Sequence, residues 1–244
     1  MRFPKSMIGL AVCALSVLAL PLDASAGTLR LRVDDGLGHG VVLTDDGDGF
    51  LSFTGISVGA FTLSVTNAIS APLLGNQDRS EMHLDSVNVT STTGGTLTLT
   101  VEGSGFTAVG VGPAQLTSTL GGSFGMGGGS ITTQSWVNTS NLVPNLGPNG
   151  AVSPTSFVAP PGSISTAPQY YTSQAFSGQS TVEFVGIGTY SLFSKTIFTL
   201  GANSVGSFNL NTSVATPEPA SLMLLGSGLL GIARLARRRR QVRG

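Results

Sequence analysis

The chain has 244 residues, 12 Lys+Arg against 12 Asp+Glu, and only 10% charged residues, where an ordinary soluble domain carries about 25%. One Cys and two His exclude a disulfide scaffold, a zinc ribbon and an iron–sulfur centre. The neutral total hides an uneven layout: the stretch 27–216 holds four basic residues (Arg30, Arg32, Arg79, Lys195) against ten acidic ones, so the body is acidic and unsuited to nucleic acid, and the other basic residues lie at the two ends.

Residues 1–26 read as a secretory signal helix. Arg2 and Lys5 form a positive start, Met7 to Leu20 an apolar run, and Ala24-Ser25-Ala26 a small-x-small cleavage site, which places processing between Ala26 and Gly27. The run is shorter than the roughly 20 residues of a membrane span. Cys13 lies inside it, preceded by Val12 rather than a small residue, so it is not a lipoprotein cysteine and leaves with the signal. The mature chain then has no thiol chemistry.

The body, 27–212, alternates apolar and polar residues with period two. Leu29, Leu31 and Val33 alternate with Thr28, Arg30 and Arg32; Phe61, Leu63 and Val65 with Thr62, Ser64 and Thr66; Leu97, Leu99 and Val101 with Thr98 and Thr100; Val182 and Phe184 with Glu183. This predicts half-buried strands with Thr as the outward residue. Turn signals fall at Asp34-Asp35-Gly36, Asp46-Gly47-Asp48-Gly49, Thr93-Gly94-Gly95 and Gly103-Ser104-Gly105. The segments Val87–Thr92 and Thr96–Val101 around Gly94-Gly95 predict a hairpin. Many short strands at this spacing predict an all-β fold, an antiparallel sandwich of jelly-roll or immunoglobulin-like type. Residues 121–169, with Gly127-Gly128-Gly129 and six prolines, read as a weakly structured excursion with one strand at Ile131–Val137. Val205 to Thr216 reads as a last strand and a short tether.

Four patterns in the body touch on chemistry. Asp45, Asp46 and Asp48 share a Gly-rich turn, and clustered carboxylates can hold Ca²⁺ through oxygen ligands. The Gly and Glu of a helix–loop–helix calcium site are missing, so a solvated acidic turn is the expectation; calcium gains ground if the acidic turn at Asp34-Asp35 meets it at one end of the sandwich. Gly121-Gly122-Ser123-Phe124-Gly125 matches a nucleophile elbow, but both His39 and His83 precede Ser123 and no His follows, so it reads as a flexible glycine loop. Gly103-Ser104-Gly105-Phe106-Thr107-Ala108 has dinucleotide-type spacing, but Val109 and Val111 continue a strand where that site needs a helix. Paired carboxylates for glycoside hydrolysis need aromatic walls, and one Trp and three Tyr supply few. No catalytic residue and no cofactor is expected, and the body reads as non-enzymatic.

The tail has three parts in order: Pro217-Glu218-Pro219, an apolar stretch over 220–236, and an arginine cluster within 234–243. An apolar helix followed by positive charge would span the membrane with its arginines inside and the body outside. These three parts, set in the segment 213–244, resemble the PEP-CTERM sorting signal of Gram-negative bacteria, and residues 61–107 are similar to the middle of a common group of small proteins bearing it. The resemblance implies an exosortase-type sorting enzyme as partner, an inner-membrane intermediate, and release to or attachment at the cell surface. It also implies a place among proteins that accompany exopolysaccharide and biofilm formation. The expected role is structural or adhesive, with extracellular polysaccharide as a further partner. The rival is a carbohydrate- or calcium-binding module, and a polysaccharide-active enzyme stands third.

Overall fold

A computed structural model describes residues 28–70, 79–107, 112–144, 157–186 and 188–215. The signal helix expected over 1–26 and the transmembrane helix expected over 220–236 lie outside the described residues. Among the described residues eleven strands form one hydrogen-bonded sheet in which every pairing is antiparallel. They are β1 (Leu29–Asp34), β2 (Gly40–Thr44), β3 (Phe50–Val58), β4 (Phe61–Ser70), β5 (Arg79–Thr107), β6 (Gly112–Phe124), β7 (Gly129–Asn138), β8 (Ser163–Ser165), β9 (Gln169–Tyr171), β10 (Ala175–Gly186) and β11 (Thr189–Ala215). The all-β expectation holds.

Two long strands, β5 and β11, turn this sheet into a sandwich. They pair with each other from Thr107↔Thr189 to Arg79↔Ala215. One half of the pair carries β4 and β3 on one side and β6 and β10 on the other; the other half carries β1 and β2, and then β7 with β8 and β9. The two halves fold over each other. Alternate side chains of each half point inward, and Phe124 of β6 stacks on Phe198 of β11 across the layers, 5.3 Å between centroids. Leu29, Leu31, Val33, Leu63, Val65, Val87, Val89, Leu97, Leu99 and Leu192 complete this core, each at most 1% exposed.

The fold-over occurs at Gly94 and Gly95, where φ is 82° and 131°, a region that Gly enters without strain. A Cβ on Gly94 would stand 3.0 Å from the backbone of Gly201 and Ala202, so β11 bends against it with no room for a side chain. The hairpin expected around Gly94-Gly95 is therefore corrected. The segments 87–92 and 96–101 are two parts of one strand in different layers, and each pairs with β11 rather than with the other. The turn expected at Gly103-Ser104-Gly105 is corrected too: β5 runs through it, and the irregularity is a register shift between Gly103 and Phe106.

The flexible glycine loop expected at Gly121 to Gly125 is mostly strand, since β6 extends to Phe124. Its glycines serve packing. A Cβ on Gly122 would overlap the Phe176 ring and the β11 backbone, and a Cβ on Gly206 would overlap the Phe198 ring. Phe124, Phe176, Phe198 and Phe208 form one cluster over these bare positions, with centroids 5.1–5.5 Å apart.

The excursion is also shorter than 121–169. The strand expected at Ile131–Val137 is present as β7, one side of which pairs with β11. Its other side pairs with β8 and β9, short pieces of the Pro-rich segment. Phe157 of the excursion lies on the outer face of the β1–β5–β11–β7 layer, and other parts of it fasten to the strands of that layer. Gly105 N–H donates to Asn141 Oδ1 at 2.9 Å, Ser191 Oγ–H to Leu142 O, and Gln134 Nε2–H to Thr166 O at 3.1 Å.

Candidate functional site: a charged face under the excursion

Register decides which side chains share the outer face of this layer. Arg30, Glu102, Phe193 and Trp136 stand in one row across β1, β5, β11 and β7. Arg32, Thr100, Lys195 and Gln134 form the next row, and Asp34, Thr98, Ile197 and Thr132 the one after. Three of the four basic residues in 27–216 thus sit on one face of an acidic body.

A solvated outer face would leave such residues exposed. Here Arg32 is 5% exposed, Asp34 6% and Glu102 1%. Trp136 stacks on Phe193 at 5.6 Å, Phe157 of the excursion closes on both rings, and Lys195 Nζ lies 5.2 Å from the Phe157 centroid. Arg30 pairs with Glu102 at 2.9 Å and Arg32 with Asp34 at 3.4 Å. Among the described residues Lys195 makes no ion pair.

Neither carboxylate is fully satisfied. Glu102 Oε2 and Asp34 Oδ1 are buried without a hydrogen-bond partner. Burial pushes the Glu102 carboxyl up to about 7, against the opposing pull of Arg30. Burial also raises Asp34, while Arg32, the Gly36 N–H and Lys195 hold it down in part. An unpaired buried carboxylate oxygen costs free energy that a donor from outside would recover.

The opposite face of the molecule differs. On β5 it carries Arg79, Glu81, His83 and Asp85; across β11, β6 and β10 it presents Ser207, Asn209, Asn211, Thr117, Thr119, Gln179, Thr181 and Glu183. None of these is buried, as the sequence pattern predicts for the solvent side.

The calcium candidates have other roles. Asp45 Oδ1 accepts from Leu29 N–H at 2.9 Å and its Oδ2 from Gly49 N–H at 2.7 Å, which fastens the β2–β3 turn to the start of β1. Asp48 Oδ1 accepts from Phe50 N–H at 2.8 Å; Asp46 is exposed. Asp35 closes the other acidic turn, accepting from Leu37 and His39 N–H and meeting His39 Nδ1 at 2.6 Å. Burial opposes ionisation there, but these bonds together hold its carboxyl below the usual range. The two acidic turns lie at opposite ends of β1, about 17 Å apart at strand rise, so they do not meet. Among the described residues no three His, Cys, Asp or Glu side chains gather closely enough to hold a metal.

Sequence patterning also missed a polar centre inside the sandwich. Ser135 Oγ contacts Ser118 Oγ at 2.9 Å, Ser194 Oγ at 2.7 Å and Thr212 Oγ1 at 3.0 Å, and Ser194 contacts Thr212 at 2.7 Å. All four are fully buried. Gln169 Nε2 donates to Ser118 O and Oγ at 3.1 and 3.4 Å, and Thr133 bonds Thr196 at 3.0 Å beside the cluster. The outward place expected for Thr is thus reversed at Thr133, Thr196 and Thr212.

The last strand ends at Ala215, and there the tail begins. Residues 215–240 match the family model of the PEP-CTERM protein-sorting motif. The tail is a PEP-CTERM sorting signal. It contains Pro217, Glu218 and Pro219, the apolar stretch over 220–236 and the first five arginines of the terminal cluster. A chain bearing a PEP-CTERM signal is exported and sorted at the cell envelope. Residues 216–240 of the PEP-CTERM match lie outside the described ones, among which no helix is long and apolar enough to cross a membrane.

No curated protein matches the sequence. Among solved structures, the body is similar to TmCBM61 in complex with β-1,4-galactotriose (11% identity, 62% of this chain, 88% of that one, TM-score 0.28). It is also similar to the N-terminal cellulose-binding domain of Cellulomonas fimi β-1,4-glucanase C (10%, 71% and 93%, 0.29) and to the adhesin domain of Epf from Streptococcus pyogenes (9%, 81% and 61%, 0.28). Scores of this size carry no argument about ligand or activity.

Proposed function

We propose that this protein is a non-enzymatic component of the extracellular polymer layer. An N-terminal signal exports it, an exosortase-type enzyme acts at its tail, and it becomes structural or adhesive in exopolysaccharide or biofilm at the cell surface. The observation that carries this reading is the sorting motif at 215–240, which follows the last strand directly.

The test is mass spectrometry of both chain ends after cell fractionation. The expected surface form begins at Gly27 and lacks the arginine tail. Surface protein that retains both Met1 and Gly244 overturns the reading.

One observation favours a narrower reading of the body, as a carbohydrate-binding module. The charged face holds cations, buried acceptors and aromatic rings in adjacent rows. On this reading, polymer extracted from producing cells retards the protein in affinity electrophoresis.

A further inference from the structure

We infer that the open edge of β10 docks a second copy of this chain, pairing antiparallel with the same edge of that copy about a two-fold axis at Ser180. The inference goes beyond the proposed function, to which it adds a partner. Its failure leaves the sorting reading standing, because that reading is tested at the chain ends.

Among the described residues β2, β3, β8, β9 and β10 border the layers. β2 has 5 residues, and β8 and β9 have 3 each. β3 is broken by register shifts between Leu51 and Phe53 and between Phe53 and Ile56. Short or bulged edges are poor templates for another chain. β10 differs: it has 12 residues and pairs with β6 from Ala175↔Ser123 to Gly186↔Gly112 without a shift. It carries no Lys, Arg or Pro, residues that blunt an edge, and Glu183 is its single charge.

The backbone groups of an antiparallel strand face its two sides by turns. Phe124 N–H donates to Gln174 O at 2.7 Å. In this register the N–H and C=O groups of the even-numbered residues therefore face β6, and those of Ala175, Ser177, Gln179, Thr181, Glu183 and Val185 face the open edge. An axis at Ser180 sets Ala175 opposite Val185 of the other copy, Ser177 opposite Glu183, and Gln179 opposite Thr181. Each free donor and acceptor along the edge then finds its match. The side chains of these residues are all exposed, and they match too: apolar meets apolar at both ends, and the carboxylate meets a hydroxyl. A parallel contact in register would instead set Glu183 beside Glu183 of the other copy, about 4.8 Å away. Gly186 and Ala215 lie toward the same end of β6, so β10 runs toward the end where the tail leaves. Antiparallel pairing points the two tails opposite ways, so the contact joins copies that are not held side by side in one membrane.

The experiment is sedimentation of the full chain, carrying Cys13→Ser, in density-matched mild detergent. The range is about 1 to 200 µM, suited to an interface at the small end of the usual sizes. The parent is expected to pass from monomer to dimer. Thr181→Pro should abolish the dimer and keep the fold, because the Thr181 N–H faces the open edge, where Pro is tolerated. Should Thr181→Pro unfold, Gln179→Lys with Thr181→Lys sets like charges opposite each other and should weaken the dimer about tenfold or more. Asn88→Lys, exposed on β5 of the same layer, should change nothing. Mild oxidation should link Ser180→Cys to its copy, since a non-hydrogen-bonded antiparallel pair stands about 4.5 Å apart at Cα, within disulfide reach. Ala175→Cys should not link to its copy. The inference is overturned if the parent stays monomeric, if folded Thr181→Pro or the double Lys variant dimerises like the parent, or if Ser180→Cys fails to link or Ala175→Cys links.

Discussion

Ser135 is the hub of the buried hydroxyl cluster, and replacing it with Ala tests how far that cluster holds the two layers together. The four hydroxyls of Ser118, Ser135, Ser194 and Thr212 make four mutual contacts: Ser135 donates to Ser118, and the protons of Ser194 and Thr212 serve the contacts among Ser135, Ser194 and Thr212. Ser135 takes part in three of these contacts. Its loss leaves Ser194 and Thr212 with each other and Ser118 with Gln169. A neutral hydrogen bond contributes about 0.5–1.5 kcal/mol net. Three of them, less some relaxation by the survivors, give about 2–3 kcal/mol. For a body of this size that is a drop of roughly 4–12 °C in Tm. Deleting one oxygen opens too small a void to add much.

The measurement is urea unfolding of parent and variant at one pH, with Thr119→Ala as a control. Thr119 is on the same strand as Ser118 but points outward and is exposed, and its replacement should stay within about 0.5 kcal/mol. A double cycle with Thr212→Ala isolates the pair, and a coupling of about 0.5 kcal/mol or more is expected for groups in contact. If Ser135→Ala unfolds within 0.5 kcal/mol of the parent and shows no coupling to Thr212, the cluster is a passive filling and the reasoning fails.

Two other substitutions address the turns and the charged face. Asp45→Ala removes the acceptor of two backbone N–H groups and should cost about 2–3 kcal/mol in chemical unfolding; an unchanged midpoint would show that the β2–β3 turn does not depend on it. Glu102→Gln should change how stability depends on pH. The Glu102 carboxyl is raised from 4.5 to about 7 in the folded chain, so between those values the folded state holds the proton more tightly. Its contribution is therefore full below about pH 4.5 and lost as pH rises through about 7, by up to roughly 3 kcal/mol. The raised Asp34 acts in the same sense. The gap in stability between Glu102→Gln and the parent should widen in favour of the variant from pH 5 to pH 8, and a gap that stays constant would mean the carboxyl is not held up.

The strands themselves were legible because period two is a local property. Leu29-Arg30-Leu31-Arg32-Val33 and Thr96-Leu97-Thr98-Leu99-Thr100 announce one covered side whatever their partners are, and both became strands with their Leu and Val residues in the core. The Asp35 and Asp45 turns were legible for the same reason, since their hydrogen bonds close within a few residues. Gly94-Gly95 was misread because two glycines permit either a tight hairpin or a change of layer. The choice depends on β11, more than a hundred residues away, which pairs with both sides of the bend. Nothing in the neighbourhood of Gly94 carries that information.

The charged face was illegible for a related reason. Alternation says that Arg30, Arg32, Thr100 and Lys195 lie on the side away from the core, and a residue on that side is ordinarily read as solvated. The rule assumes that only one side of a layer is covered. Here the Pro-rich segment, which reads as a loop, lays Phe157 on Trp136 and Phe193 and covers the second side. A sequence signal did exist: an acidic body that keeps only four cations places two of them two residues apart, on one face of one strand. On a freely solvated face that arrangement gains little, since exposed pairs contribute about 0–1 kcal/mol. Beneath a cover, each charge that lacks a full set of partners is costly. The cover and the cations therefore make most sense together, with Glu102 and Asp34 held short of donors at a place that the fold has already shielded from water.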